Sequence, residues 1–272
     1  MILSKRKITL MLVVILLSVI SCQKVIRLNL DQSEPQLVID ADMSNVYGLR
    51  VYLSKSVGFY EDNNFPTVNS AMVILKNMTT NRVDTVPFRG DGTYSISRRP
   101  IVGTTYQLTV IVDSVTYIAT STMPPIRIPD SITFSRRNLF GDNIISAKMN
   151  FQDSAGFENY YIFRQYIMKN DKWTFFPFSD RLSDGRYIQY NLQNDSSYLN
   201  IGDSVRINMQ CIDKNVYKYF SVVENISADD NGFGSASPAN PPTNIVGNAL
   251  GVFNVHSDYT KRVKVPDYVP NE

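Results

Sequence analysis

The chain has one histidine, one tryptophan and two cysteines among its 272 residues. A single histidine, His256, excludes the histidine clusters that hold zinc. It leaves one candidate for a Ser-His-Asp arrangement, and no Gly-x-Ser-x-Gly elbow accompanies it. No phosphate-cradling glycine loop is present, and the 25 acidic residues single out no carboxylate pair for glycoside hydrolysis. A dominant charge sign is also missing, with 27 Lys and Arg against 25 Asp and Glu, so nucleic acid is not an expected partner. These deficits point away from an enzyme and away from a bound cofactor.

What is present begins with a leader. Lys5, Arg6 and Lys7 precede an uncharged run from Ile8 to Ile20, the pattern of a secretory signal. That run is well short of the roughly 20 residues that a membrane-spanning helix needs. It ends in Val19-Ile20-Ser21-Cys22, which resembles the lipobox of bacterial lipoproteins. The resemblance implies removal of residues 1–21 and acylation of Cys22, and the amphipathic stretch within 22–35 reads as a tether, with a first strand as the other reading. Several acyl chains, at about 0.8 kcal/mol per buried methylene, make a stable membrane anchor. Without the leader the cations fall to 24, so the mature chain is near neutral. The remaining cysteine, Cys211, has no thiol to pair with and lies in the apolar run "VRINMQCID", as a buried inert side chain would.

The body reads as all-β. "QLVIDAD", "LRVYLSKS", "SAMVILKN", "RVDTVPF", "GTYSISRR", "TYQLTVIV" and "VTYIATS" alternate or run apolar, with Asn, Asp, Gly and Pro between them. They predict a first β-sandwich over 36–123, immunoglobulin-like or transthyretin-like in size and order. Its clearest turn is Arg89-Gly90-Asp91-Gly92-Thr93-Tyr94, similar to the hairpin of carboxypeptidase-regulatory modules. The proline-rich stretch 124–129 is expected to be a linker, because proline donates no ladder hydrogen bond. A second sandwich is predicted over 130–265, followed by a tail at 266–272. One amphipathic helix over about 213–225, capped by Asp213, is expected to plug an end of that sandwich. Residues 228–249 read as a long loop.

The order of these parts, and above all "NPPTNIVGNALGVFNVHS", resembles the lipoproteins of the domain-of-unknown-function 4249 family. Asn240, Pro241, Asn244, Ile245, Gly247, Ala249, Leu250, Gly251 and Phe253 carry the match. Where the family pattern has two glycines, this chain has Gly247-Asn248, and asparagine tolerates the same left-handed turn. The resemblance implies an outer-membrane lipoprotein of a kind often paired with a TonB-dependent transporter, and no known activity. The expected role is therefore an accessory or ligand-capture subunit of an uptake system, slightly favoured on the cell surface. The alternative is a structural or adhesive envelope protein.

Several residues are candidates for contact or modification. Trp173, Phe175, Phe176 and Phe178 concentrate aromatics in one strand, which suits either core packing or a partner patch. Phe233, Asn240 and Asn244 are candidate contacts in the long loop. Asp229, Asp230 and Asn231 form an oxygen-rich turn that either holds Ca²⁺ or is simply solvated. Thr85, Ser114, Ser131, Ser154 and Ser204 each follow an aspartate, as in turn openings or in the O-glycosylation sites of such lipoproteins.

Overall fold

A computed structural model describes residues 34–58, 62, 64–139, 141–193, 198–228 and 240–271. The leader, Cys22, the acidic turn Asp229–Asn231 and Phe233 lie outside the described residues.

Alternation builds the first core. In β1 (Leu37–Ser44) the side chains of Leu37, Ile39, Ala41 and Met43 point one way and are buried, while Asp40 and Asp42 take the opposite face. The strands β2 (Gly48–Lys55), β6 (Thr93–Ile96) and β5 (Phe88–Gly90) extend this sheet on one side. Facing it is a five-stranded sheet that includes β3 (Met72–Asn77), β4 (Val83–Thr85), β7 (Thr105–Val112) and β8 (Val115–Thr122). The expected Asp91-Gly92 turn is there, both residues left-handed, and a Cβ on Gly92 would stand 2.4 Å from the Leu53 carbonyl oxygen. Asp113 and Ser114 make the two-residue turn between β7 and β8 in the same conformation.

The second core lies between β11 (Tyr160–Ile167), β12 (Lys172–Ser179) and β14 (Ser204–Ile212) on one side and a three-stranded sheet on the other. That smaller sheet is β9 (Ser131–Leu139), β10 (Asp142–Gln152) and β13 (Tyr187–Leu192). Two sandwich cores thus match the expectation, but the cut at 124–129 does not separate two modules. The last strand, β16 (Ala249–Lys264), pairs in parallel with β1 through its first half and antiparallel with β14 through its second. It joins both halves into one eight-stranded sheet, and Pro35–Glu272 forms one compact unit. Phe253 and Val255, from the far end of the chain, complete the first core.

Two further expectations are corrected. The supposed loop 228–249 contains β15 (Ile245–Val246), which adds to β8, and runs directly into β16. In its turn Gly247 carries the positive φ and Asn248 does not need it. The helix, α1 (Lys214–Ala228), does not plug a sandwich end. It packs Val216 and Phe220 against Ile162, Phe175 and Val252 on the outer face of the eight-stranded sheet. Strands β11 and β14 are apolar on both faces at that point, and the helix covers the second face.

Asp213 caps α1 as expected, its Oδ1 accepting the Asn215 and Val216 N–H groups at 2.9 and 3.0 Å. Its other oxygen accepts the Ser121 hydroxyl and the Thr122 N–H of β8. One side chain therefore ties the helix start to the first sandwich. Asp213→Ala is expected to lower unfolding free energy by about 2 kcal/mol, since the cap and a partner of buried Ser121 are both lost. Chemical denaturation followed by circular dichroism checks this, and an unchanged midpoint would refute it.

Candidate functional site

Beyond the area covered by α1, the outer face of the eight-stranded sheet is polar. Alternation along β14 sends Val205, Ile207 and Met209 inward and Arg206, Asn208 and Gln210 outward. Opposite them on β11 stand Tyr166, Arg164 and Ile162, and next on β12 come Trp173, Phe175 and Pro177. Arg206, Asn208, Gln210, Arg164, Trp173, Asp258 and Thr260 line a cleft of about 430 Å³. A second cleft of about 780 Å³ lies over β1, β2 and β6, lined by Asp40, Asp42, Arg50, Tyr52 and Ser95. Tyr47, 80% exposed in the β1–β2 turn, borders both.

The smaller cleft is built from groups that are short of partners. Asn208 and Gln210 are buried, yet Asn208 Oδ1, Gln210 Oε1 and Arg206 Nε have no hydrogen-bond partner among the described residues. Buried polar atoms are normally paired, so three orphans on one strand face are unusual. The Asn208 amide nitrogen donates to Asp258 and, at 2.9 Å, to the Thr260 hydroxyl, which fixes its oxygen as the free end. The Arg206 guanidinium lies over the rings of Tyr166 and Trp173, 4.8 and 4.9 Å from their centroids. Among the described residues no carboxylate makes an ion pair with Arg206 or Arg164.

The larger cleft contains an acid–histidine pair. His256 is fully buried, with Nε2 2.9 Å from Asp42 Oδ1 and Nδ1 3.0 Å from the Ser257 carbonyl. Both ring nitrogens face acceptors, an arrangement that favours the doubly protonated ring. Burial opposes that charge and is the largest single cause, but Asp42, the Ser257 carbonyl and Asp258 together outweigh it and raise the pKa of His256. Burial likewise pushes the Asp42 carboxyl up, and His256, Arg164 and the Asn254 amide together more than reverse this, leaving it low. Asp40 is open to solvent along the cleft, yet crowding by protein, followed by the Asp42 charge, pushes its carboxyl up. No described serine is hydrogen-bonded through its hydroxyl to the His256 ring, so the pair has the geometry of a structural ion pair. Cys211 is buried in the second core, and burial pushes its thiol pKa up.

The sequence candidates divide. The aromatic stretch splits by alternation: Phe176 and Phe178 pack in the second core, Phe175 meets Phe220 of α1, and Trp173 stays 52% exposed at the cleft. Asn244 is a structural brace, donating to the Thr120 and Phe253 carbonyls and accepting the Phe253 N–H. Asn240 is exposed and outside the cleft lining. Thr85 and Ser114 are exposed, while Ser131, Ser154 and Ser204 are half-buried. Sequence reasoning missed Arg164, Arg206, Asn208 and Gln210. The signal for the last three was their alternate placement in a strand with apolar residues between them, and nothing marked Arg164 on β11.

A third cluster joins Asp153, Asp180 and Asp184, whose oxygens lie within 4.8 Å of one another. Each carboxylate is already engaged: Asp153 by the Tyr161 hydroxyl and Gly185 N–H, Asp180 by Asn159, Asp184 by the Gly156 N–H. Burial pushes the Asp180 carboxyl up, as suits a brace between loops.

None of the curated proteins matches the chain. Among solved structures, a two fibronectin type-III domain segment from chicken tenascin is 12% identical, with a TM-score of 0.25, covering 87% of this chain and 97% of that one. The chicken interferon gamma receptor alpha chain is 11% identical, with a TM-score of 0.20, covering 65% and 89%. The family description "Domain of unknown function (DUF4249)" matches residues 23–262, which run from before β1 into the last residues of β16 and include the lining of both clefts, and the chain belongs to that family.

Proposed function

We propose that this chain is a lipid-anchored outer-membrane protein that captures ligand for a TonB-dependent transporter without transforming it. The observation that carries the reading is the polar cleft on the outer sheet face, lined by Arg164, Arg206 and the exposed Trp173, with no carboxylate ion-paired to either guanidinium among the described residues. Guanidiniums held on a rigid sheet face are suited to gripping a polar ligand. The lipobox-like Val19–Cys22 and the family membership support an anchored location. Acylation at Cys22 would hold the body to one membrane plane and raise its effective concentration beside a transporter.

The test is affinity purification of the full chain from native outer membranes in mild detergent, with Cys22→Ala as the control. The wild-type chain is expected in the membrane fraction with a TonB-dependent transporter in stoichiometric amount, and the variant in the soluble fraction without it. A wild-type chain that comes down alone, or with envelope scaffold proteins, would replace uptake with the structural or adhesive alternative.

A further inference from the structure

We propose that the outer face of the five-stranded sheet, at the end where the chain enters β1, rests on the lipid surface of the membrane that holds the anchor. The inference rests on the anchored reading and names the surface of the body that meets the bilayer.

Register lays the outward side chains of this sheet out in rows. Thr116, Ile111 and Met72 stand opposite one another on β8, β7 and β3, and Ile118, Thr109 and Ile74 form the next row, about 6.6 Å further along the strands. Val246 of β15 extends that second row beyond Ile118. Met72 and Val246 are 56% and 72% exposed, and the three isoleucines are half-buried. None of these five apolar side chains belongs to a core, and the described helix lies on the other sheet. The third row, Thr120, Gln107 and Lys76, is polar, so the face is apolar at one end and polar beyond it. Single apolar side chains on a surface are ordinary, whereas a contiguous uncharged patch marks an interaction site.

What the patch meets follows from where the tether joins the body. Gln36, at the entry to β1, donates its side-chain amide at 2.8 Å to Asn248, two residues beyond Val246. A Cβ on Gly247, between those two, would stand 3.6 Å from the Thr116 carbonyl oxygen. The chain therefore enters beside the apolar rows. Thirteen peptide bonds separate Cys22 from Pro35, a reach of at most about 45 Å. With the apolar rows on the bilayer the tether needs little of that reach. The opposite end of β1, with Tyr47 in the following turn, lies roughly 25 Å away, so the residue that borders both clefts is held clear of lipid. Lys55 and Asp113 are exposed at the entry end, and their charges limit the contact to headgroup depth.

Thiol labelling tests this orientation. In the full acylated chain Cys22 carries lipid and Cys211 is buried, so one added cysteine is the thiol open to a reagent. Met72→Cys, Val246→Cys and, as the control, Tyr47→Cys each receive a nitrobenzoxadiazole label in vesicles of phosphatidylethanolamine and phosphatidylglycerol. Emission from positions 72 and 246 is expected to shift to the blue and to be quenched at least twofold by doxyl-labelled lipid, while position 47 stays solvent-like. Val246→Asp, at an exposed site, is expected to halve the quenching at position 72 without changing the unfolding midpoint or flotation with the vesicles.

Equal quenching at the three positions, or none although the chain floats with the vesicles, overturns the proposal and leaves the anchor standing. A blue shift without quenching by lipid overturns it too, because protein, such as a second copy of this chain, then covers the face. Quenching at position 72 that Val246→Asp leaves unaltered would show that the label itself drove insertion, and overturns it as well. A wild-type chain that fails to float, as Cys22→Ala should, removes the anchored reading and the proposal together.

Discussion

Gly251→Ala is expected to cost about 3 to 5 kcal/mol, a large share of the roughly 5 to 15 kcal/mol that stabilise an ordinary domain. Gly251 lies in β16 opposite Ile39 of β1 with φ near +100°. A Cβ there would stand 2.1 Å from the Ile39 carbonyl oxygen and 2.8 Å from its carbon. Positive φ alone costs alanine about 1 to 2 kcal/mol. The greater part comes from the clash with main chain, which cannot rotate away. Relief requires β1 and β16 to separate, and with them go ladder hydrogen bonds of about 1 kcal/mol each. The Thr243 hydroxyl, which donates to the Gly251 carbonyl at 2.7 Å, would also lose its alignment. Gly90 supplies a matched control, with φ of 109° and nothing within 4 Å of its would-be Cβ. Gly90→Ala should lose only the conformational part, about 1 to 2 kcal/mol. Urea denaturation of both variants checks this, and similar midpoints would mean that the close approach to Ile39 carries no weight.

The same strand shows what was legible in the sequence and what was not. The run "LGVFNVHS" reads as a strand because its apolar residues suit burial on both faces. Its continuation, Asp258 to Lys264, is polar and partly exposed, so nothing local announces that the strand goes on. Which strands it joins is set by non-local contacts, with β1 more than 200 residues away as in Ile39 with Gly251 and with β14 as in Cys211 with Ser257, and periodicity carries no such information. The helix illustrates the same division. Asp213 and the Val216–Phe220 spacing mark its start and its buried face, but its seat depends on Ile162 and Val252, on two different strands. A continuous run such as "YYIFRQYI" signals that both faces of β11 are covered without saying by what. For the cleft, the alternation of Arg206, Asn208 and Gln210 reads as an ordinary solvent-facing edge of a strand. Only the surrounding strands, which bury Asn208 and Gln210 and leave their oxygens orphaned, turn that edge into a candidate site.

The acid–histidine pair gives the second large effect, in the pH dependence of stability. The folded pKa of His256 is raised above its ordinary value of 6.5, so its contribution is complete below about pH 6.5 and is lost as pH rises through the folded value. Asp42 has the opposite sense: its depressed folded pKa contributes above about pH 4 and is lost as pH falls through that value. Asp40, whose pKa is raised, works against Asp42 on the acid side, which makes the alkaline limb the cleaner one to follow. His256 is the single histidine in the chain, and Asp42, Asp258 and Arg164 are the charged groups that act on it or on Asp42. The wild-type chain is expected to lose stability progressively as pH rises above about 6.5. Asp42→Asn removes the largest of the contributions that offset burial, so burial should prevail and the imidazole titrate below its ordinary value. Its stability should rise with pH between about 5 and 7, the reverse of wild type over the adjoining range. Urea midpoints collected at half-unit pH intervals for both proteins decide the matter. A slope of the same sign in the two would show that Asp42 is not what keeps the ring charged.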